Sequence, residues 1–502
     1  MFKTFPELGN YNFSADQHRF RQGELRLVVD VVSGSIHAVD PVAWDLLETL
    51  EKRQGNLGQA LADLTDCARE GKYAREELEE AVLELAELAQ EGTLFNRDQW
   101  RETVSPELAS PVPALVNPES KTVPAGEPSQ NPVIKSLCLN VAHDCNLRCS
   151  YCFASSGNFG GGCKLMPFAV GKAALDFLVA HSANRKHCEV DFFGGEPLLN
   201  FEVVKQIVEY GRQLEQEKGK LIHFTLTTNA VLLDADIQEY LNQQKISVVL
   251  SLDGRPAVHD RLRVFADGSG SYDAVLPPIK ALTESRQLDQ DYYVRGTYTR
   301  FNLDFANDVL HLADQGFKRV SVEPVVIAEP ADYALREEDL PQIFAEYDRL
   351  AKAIEARERE GSGFNFFHFD LSLDHGPCLP KRLKGCGAGF EYVAITPEGD
   401  IYPCHQFVGR PAYLLGNVLK NDDLDLAKMA HFQNAHIYGK SVCAGCWARF
   451  YCGGGCHANA ESFNNTIYQP YTLGCSIQKK RLEAAIYYQA RRLIQKGEPA
   501  DG

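Results

Sequence analysis

Cysteine spacing is the strongest chemical signal in this chain. The string HDCNLRCSYC sets Cys145, Cys149 and Cys152 in the pattern C-x3-C-x2-C. Three thiolates in one short loop can hold three irons of a [4Fe–4S] cube and leave the fourth iron open. The same sulfurs with one outside ligand could bind zinc. A second run lies near the C-terminus, with Cys386, Cys404, Cys443, Cys446, Cys452, Cys456 and Cys475, and Cys378 upstream. Its C-x2-C and C-x3-C pairs also admit a zinc ribbon, but seven or eight thiolates behind the triplet fit clusters better. Eleven of the fifteen cysteines thus fall in two groups, and the odd total argues against a disulfide framework.

The triplet must be positioned by the elements around it. Apolar, β-rich runs occur at Ser136–Val141, Cys188–Phe193, Ile222–Thr227, Ser247–Leu252, Asp291–Thr299 and Arg319–Val325. The first five each precede a helical pattern, as at Ala169–His181, Phe201–Glu217 and Phe305–Asp314. This alternation predicts an α/β fold, a parallel sheet curled into a partial (β/α)6 barrel. Right-handed crossovers put every loop that follows a strand on one rim, where barrels keep their chemistry. The triplet follows the first strand, and Gly194-Gly195-Glu196-Pro197 follows the second. Thr227-Thr228-Asn229 ends the third, and Ser251-Leu252-Asp253-Gly254 the fourth, with Arg263 twelve residues after Ser251. Taken singly, GGEP could be a plain turn and Arg263 a solvated surface residue. Tyr298 and Glu323-Pro324 also end strands, where they can face the cavity.

Residues 1–100 read as a separate unit. Leu25–Val32 and Ser35–Val39 form a hairpin split by Ser33-Gly34. Asp40 caps a helix with Pro41 in its first turn, and further helices follow near Leu57–Cys67 and Arg75–Glu91. Strands followed by short helices suggest a winged-helix-like module. Residues 101–132 hold seven prolines and little apolar content, which reads as a linker. The expected division is then the barrel at 133–345, a connector at 346–377, a Cys-rich domain at 378–485 and a tail at 486–502. Cys67, Cys138 and Cys188 read as small buried thiols in a helix and two strands. Cys163, in NFGGGCK, reads as more exposed, and His143 and His405 as supports for neighbouring cysteines.

The chain has 502 residues and a net charge of −17, which argues against a nucleic-acid partner. No apolar run reaches the length of a membrane helix and no signal peptide is visible, so a cytoplasmic protein is expected.

The triplet, its aromatic Tyr151 and the GGEP string together resemble the radical S-adenosylmethionine (SAM) superfamily. The resemblance implies that the loop holds a [4Fe–4S] cluster, and that the GGE backbone and Glu196 hold the SAM amino group, the glycines letting bare backbone approach the ligand. Around the fourth strand the likeness is to anaerobic sulfatase-maturating enzymes. It implies that Ser251 contacts the SAM ribose and Arg263 the SAM carboxylate, with Gly194, Gly195, Pro197, Asn229 and Asp253 completing the pocket. The C-terminal spacing resembles the seven-cysteine SPASM domain, which holds two auxiliary [4Fe–4S] clusters. By that likeness Cys443, Cys446, Cys452 and Cys475 ligate one, and Cys386, Cys404 and Cys456 the other. Cys378 is available as a fourth ligand for the latter, or a site stays free for a substrate thiolate.

The strings VAHDCNLRCSYCFASSGNFGG, CEVDFFGGEPLLNF, RLKGCGAGFEYVAITPEGDIYPCHQFVG and CWARFYCGGGC are similar to the maturases of Cys-rich SCIFF peptides. The likeness extends from about residue 20 to 485, with a longer linker here. It implies thioether cross-links in a ribosomally made Cys-rich precursor peptide, whose leader adds as a strand to the N-terminal module. It also implies a low-potential electron donor such as ferredoxin or flavodoxin. The alternatives are another SPASM modifier, of sulfatase- or quinohemoprotein-maturating type, or a non-catalytic iron–sulfur electron carrier.

Overall fold

The computed structural model describes residues 5–69, 73–98, 101, 132–373, 382–420, 424–495 and 497. Nearly all of the Pro-rich segment, and Cys378, lie outside these residues, as do the side chains of residues 66–69, Cys67 among them.

The chain opens with a three-stranded antiparallel sheet, β1 (Gln17–Gln22), β2 (Leu25–Asp30) and β3 (Ile36–Ala38), in spatial order β1-β2-β3. β2 and β3 form the expected hairpin. Asp40 Oδ1 accepts from Ala43 N at 2.7 Å and caps the helix Pro41–Lys52. That helix buries Val42, Leu46, Leu47 and Leu50 against Leu78, Val82 and Leu85 of the helix Arg75–Gln90. β1 lay outside the expectation because its alternation does not separate apolar from polar. Phe20 packs into the main core, and His18 stacks on Trp447 with ring centroids 3.8 Å apart.

Six parallel strands follow in the expected order: β4 (Ser136–His143), β6 (His187–Gly194), β7 (Leu221–Thr228), β8 (Ser247–Ser251), β9 (Tyr292–Tyr298) and β10 (Arg319–Pro324). A two-residue β5 (Lys164–Leu165) pairs with β4. The sheet continues at both ends. β11 (Asn365–Phe366) adds parallel to β10, and β12 (Tyr392–Ile395) adds parallel to β4, with β13 (Asp400–Tyr402) and β14 (Gly416–Asn417) beyond it. Every residue of β4 is therefore buried, since strands flank both its edges and other elements cover both its faces.

These pairings redraw the expected boundaries. The Cys-rich segment is not a detached third unit, because β12 is hydrogen-bonded into the barrel sheet. The helix Leu340–Arg359 crosses the expected break at 345, carried by Ile343, Tyr347, Leu350 and Ile354 on one buried face. It packs on the helix Thr472–Gln495, which runs through the expected tail because Ile486, Tyr487 and Ala490 are buried.

The N-terminal module is clamped to the C-terminal segment by buried charge. Arg449, fully buried, donates from Nη2 to Asp16 Oδ1 at 2.7 Å and Asp98 Oδ2 at 2.9 Å. Tyr438 Oη donates to Asp98 Oδ1 at 2.8 Å, and Arg101 Nη2 to Asp16 Oδ1 at 2.9 Å and the Ala444 carbonyl at 3.2 Å. Among the described residues no helix is long and apolar enough to cross a membrane.

Candidate active site

The loop leaving β4 carries Cys145, Cys149 and Cys152 and is pinned from two sides. Arg148 N and Ser150 N donate to the carbonyls of Val264 and Leu262 at 2.7 and 2.9 Å. Opposite, Gly195 N donates to Ala142 O at 2.7 Å and Glu196 N to Asp144 O at 2.8 Å. This approach accounts for the glycines. A Cβ on Gly194 would stand 2.3 Å from Ala142 O, and one on Gly195 2.0 Å from Asp144 O. The bare backbone is demanded by Ala142 at the end of β4 and by Asp144 at the head of the cysteine loop, a reason additional to the expected approach to a ligand.

Glu196 is fully buried. Its Oε1 accepts from Leu198 N at 3.0 Å and Thr228 Oγ1 at 2.7 Å, and its Oε2 from Asn229 N at 2.8 Å. Burial pushes its pKa up to about 7 against those bonds. The carboxylate therefore ties the second rim loop to the third, through Thr228, whose part the sequence did not reveal. Asn229, held this way, donates from Nδ2 to Asn146 Oδ1 at 2.7 Å and to Cys145 Sγ at 3.6 Å. Pro197 is buried and opens the short turn Pro197–Asn200.

On the other flank of the triplet, Tyr151 Oη donates to Asp253 Oδ2 at 2.6 Å and accepts from Arg263 Nη1 at 2.9 Å. Asp253 and Arg263 are both buried. Two residues without a motif hold them: Asp253 N donates to His259 Nδ1 at 3.3 Å, and Ser271 Oγ bridges His259 Nε2 at 2.9 Å and the Arg263 carbonyl at 2.7 Å. Arg263 keeps a buried Nε without a partner, as does the Nδ2 of Asn146. A buried guanidinium with a spare donor fits a ligand carboxylate such as that of SAM. Ser251 ends β8 and pairs with Arg295 of β9.

The C-terminal thiols sort into two sets. Cys443 lies within Coulombic reach of Cys446, Cys452 and Cys475, and Cys404 within reach of Cys386 and Cys456. Buried Lys440 stands between the sets, influenced by Cys443, Cys452, Cys456 and Cys386, and donates from Nζ to Gly454 O at 2.8 Å. Burial pushes the thiols of Cys145 and Cys443 up to about 12, a cost that metal ligation removes. Among the described residues no three His, Cys, Asp or Glu groups converge tightly enough for a single ion. A cube spreads its thiolates over four irons, so a set of three or four neighbouring thiols can hold one. The donor sets fit iron–sulfur clusters.

The rim and the second thiol set approach each other across the inner face of the barrel, through aromatic rings. Phe153 follows Cys152 and His405 follows Cys404, and their ring centroids are 5.2 Å apart. Phe193 of β6 stacks on His405 at 4.9 Å, and Tyr392 Oη meets His405 Nδ1 at 3.2 Å. Glu323 faces this space, but Tyr298 does not. Thr297 pairs with Glu323, so Tyr298 points to the opposite face, where it stacks on Phe305 at 4.3 Å. Exposed Cys163 lies beside Asp144, at the outer edge of the triplet loop.

Comparison with known proteins agrees with this geometry. Residues 136–270 match the model of a 4Fe-4S single cluster domain, and residues 386–447 that of the SPASM iron–sulfur cluster-binding domain. An uncharacterized protein of Methanocaldococcus jannaschii is 31% identical over 59% of this chain and 93% of its own length. The radical SAM cyclopropyl synthase TigE of Paramaledivibacter caminithermalis is 23% identical over 67% of this chain and 70% of its own. Among solved structures, native anSMEcpe with bound AdoMet has the same fold, at a TM-score of 0.58 and 22% identity over 72% of this chain and 98% of its own. The chain belongs to the radical SAM enzymes that carry a C-terminal SPASM domain, with a [4Fe–4S] cluster, SAM and auxiliary iron–sulfur clusters as its cofactors.

Proposed function

We propose that this enzyme installs thioether cross-links, joining a Cys sulfur to a carbon of another residue, in a ribosomally made Cys-rich precursor peptide. The observation that carries this reading is the 5.2 Å contact between Phe153 and His405. It supports a triplet loop that lies close to the residue after Cys404, a thiol grouped with Cys386 and Cys456. Three thiolates leave a cluster corner that a substrate thiolate can take, unless Cys378 fills it.

In this reading Cys145, Cys149 and Cys152 hold the SAM-cleaving cluster. Cys443, Cys446, Cys452 and Cys475 hold one auxiliary cluster, and Cys386, Cys404 and Cys456 the other. Gly194, Gly195, Glu196, Pro197, Asn229, Ser251, Asp253 and Arg263 shape the SAM pocket. When bound, the cluster and SAM supply a 5′-deoxyadenosyl radical able to take a hydrogen atom from a substrate carbon. Arg263, braced by Tyr151 and Asp253, orients the SAM carboxylate with its spare Nε. Phe153, Phe193 and His405 form an aromatic cluster between the triplet loop and the second thiol set, against which the substrate packs. As the C–S bond closes, the substrate gives up the thiol proton and one electron, which the auxiliary cluster held by Cys386, Cys404 and Cys456 would take up. The N-terminal module takes the leader along a sheet edge of β1 or β3, and a ferredoxin or flavodoxin supplies the low-potential electrons.

Peptide substrates are in keeping with the relatives, since anSMEcpe is also solved with AdoMet and a peptide bound. TigE is by name a cyclopropyl synthase, so product chemistry is the test. The purified enzyme, SAM and reductant are combined with the peptide encoded by a short Cys-rich reading frame beside its gene. The product should lose two hydrogens per link, resist reductant, and show one fewer alkylatable thiol per link. A disulfide would reopen on reduction, and formylglycine would lose sulfur. Recovery of every thiol after reduction overturns the thioether reading.

A further inference from the structure

The lumen wall opposite the aromatic rings carries charges that neither the clusters nor SAM account for. In β9 the open positions are Tyr293, Arg295 and Thr297, while Val294, Gly296 and Tyr298 are buried behind them. Arg295 pairs with Ser251 on one side and Ser321 on the other, and Thr297 pairs with Glu323. Arg295 and Glu323 therefore stand level with the SAM rim and inside it. Arg295 is also within Coulombic reach of His405 across the lumen.

The pair is only partly satisfied. Arg295 Nη2 lies 3.1 Å from Glu323 Oε2, with the two side chains 48% and 37% exposed. Glu323 Oε1 stands 4.0 Å from His368 Nε2, beyond hydrogen-bond reach, while His368 is engaged with Ser321 Oγ at 3.1 Å. Arg481 also lies within Coulombic reach of Glu323 but makes no hydrogen bond to it among the described contacts, so the pair offers spare guanidinium donors beside a carboxylate oxygen free to accept. An extended peptide presents the complementary pattern, a carbonyl beside an N–H. A peptide that covered this ion pair without bonding to it would leave buried polar groups unpaired.

We propose that Arg295 and Glu323 are positioning residues that grip one main-chain peptide group of the substrate's core segment, holding the modified residue between Ser251 and His405. This rests on the peptide reading above and adds to it a place and a mode of grip that do not depend on the substrate side chain. A leader held at the N-terminal module keeps the peptide bound, so the grip acts on geometry more than on affinity. The central consequence is a change in the partition between productive and idle turnover.

The test uses the full-length, cluster-loaded enzyme with the Cys-rich precursor peptide, and measures 5′-deoxyadenosine and cross-linked product together. Arg295→Gln and Glu323→Gln should each raise the ratio of 5′-deoxyadenosine to product about tenfold, since small misplacements of a reacting atom cost that much or more. KM for the peptide should move less than kcat for cross-linking. The double variant should be no worse than either single one, because the two groups act as a unit. Arg295→Lys should recover part of the coupling. A merely structural role would lower both products together and leave the ratio unchanged, which overturns the proposal. Coupling that fails in wild type when an acidic side chain of the peptide is amidated, and is then insensitive to Arg295→Gln, also overturns it, since the ligand would be a carboxylate. If wild-type enzyme gives no cross-link at all, the peptide reading fails instead, a result these variants cannot mimic.

Discussion

Cys145, Cys149 and Cys152 come from one short loop, whereas Cys386, Cys404 and Cys456 are drawn from segments far apart in the chain. The first loop is held chiefly by backbone, the carbonyls of Leu262 and Val264 on one side and the glycine strand end on the other, with Asn146 and Tyr151 adding side-chain bonds to neighbouring rim loops. The second region depends on side chains reaching across the molecule, with Lys440 between the thiol sets and Arg449 locking the cysteine loop to Asp16 and Asp98. Backbone pairing in a short loop leaves a local sequence motif. Long-range side-chain locks do not.

The difference can be broken from either end. The largest effect should come from replacing Cys145, Cys149 and Cys152 with Ala, which should cut 5′-deoxyadenosine formation by on the order of 100-fold or more. Cys443→Ala should instead lose cross-linking while SAM cleavage persists. Retained cleavage in the triplet variant would move the SAM site elsewhere.

Next comes Arg449→Leu. It leaves Asp16 and Asp98 buried with their main cation gone, a loss worth about 3–5 kcal/mol when one partner of a buried network is removed. Denaturant unfolding should show that loss, and iron should leave the C-terminal region before the triplet. Removing residues 1–101 should do the same, so a truncated chain reports cluster loss as well as leader loss. Unchanged stability would mean that the N-terminal module docks more loosely than this lock implies.

Glu196→Gln should cost about 1–3 kcal/mol, because an amide N–H2 would face a donor where an oxygen now accepts. The wild-type chain without cofactors should also show a pH signature. Glu196 has its pKa raised from 4.5 to about 7, so its favourable share is complete below about 4.5 and is lost as pH rises through about 7. The Gln variant should lack that slope, and an identical slope in both would assign it to another group. The smallest effect should be Lys440→Met. Removing a buried cation beside both thiol sets should lower the reduction potential of the auxiliary clusters, read by EPR-monitored titration.

Much of the barrel was legible because its strands are apolar runs with period-two burial, as in β6 and β7. β1 escaped because Phe20 is the one apolar residue among the polar and charged ones of Gln17–Gln22, so no apolar periodicity marks it. Of the strand ends that can face the cavity, Glu323 does and Tyr298 does not, because neighbouring side chains point to opposite faces and the last residue of a strand does not reveal which phase points inward. Thr228, His259 and Ser271 support the rim through side-chain hydrogen bonds, for which residue type gives no warning. Arg449 sits between two cysteines in sequence, yet its partners lie in the first hundred residues.

Three separate thiol sets should hold three four-iron clusters. Iron and acid-labile sulfide, measured on the anaerobically reconstituted full-length chain, test it most directly. We expect about twelve of each per chain, falling to about eight when the triplet is replaced by Ala. Stoichiometric zinc without sulfide, or about four irons that vanish with the triplet, would contradict it.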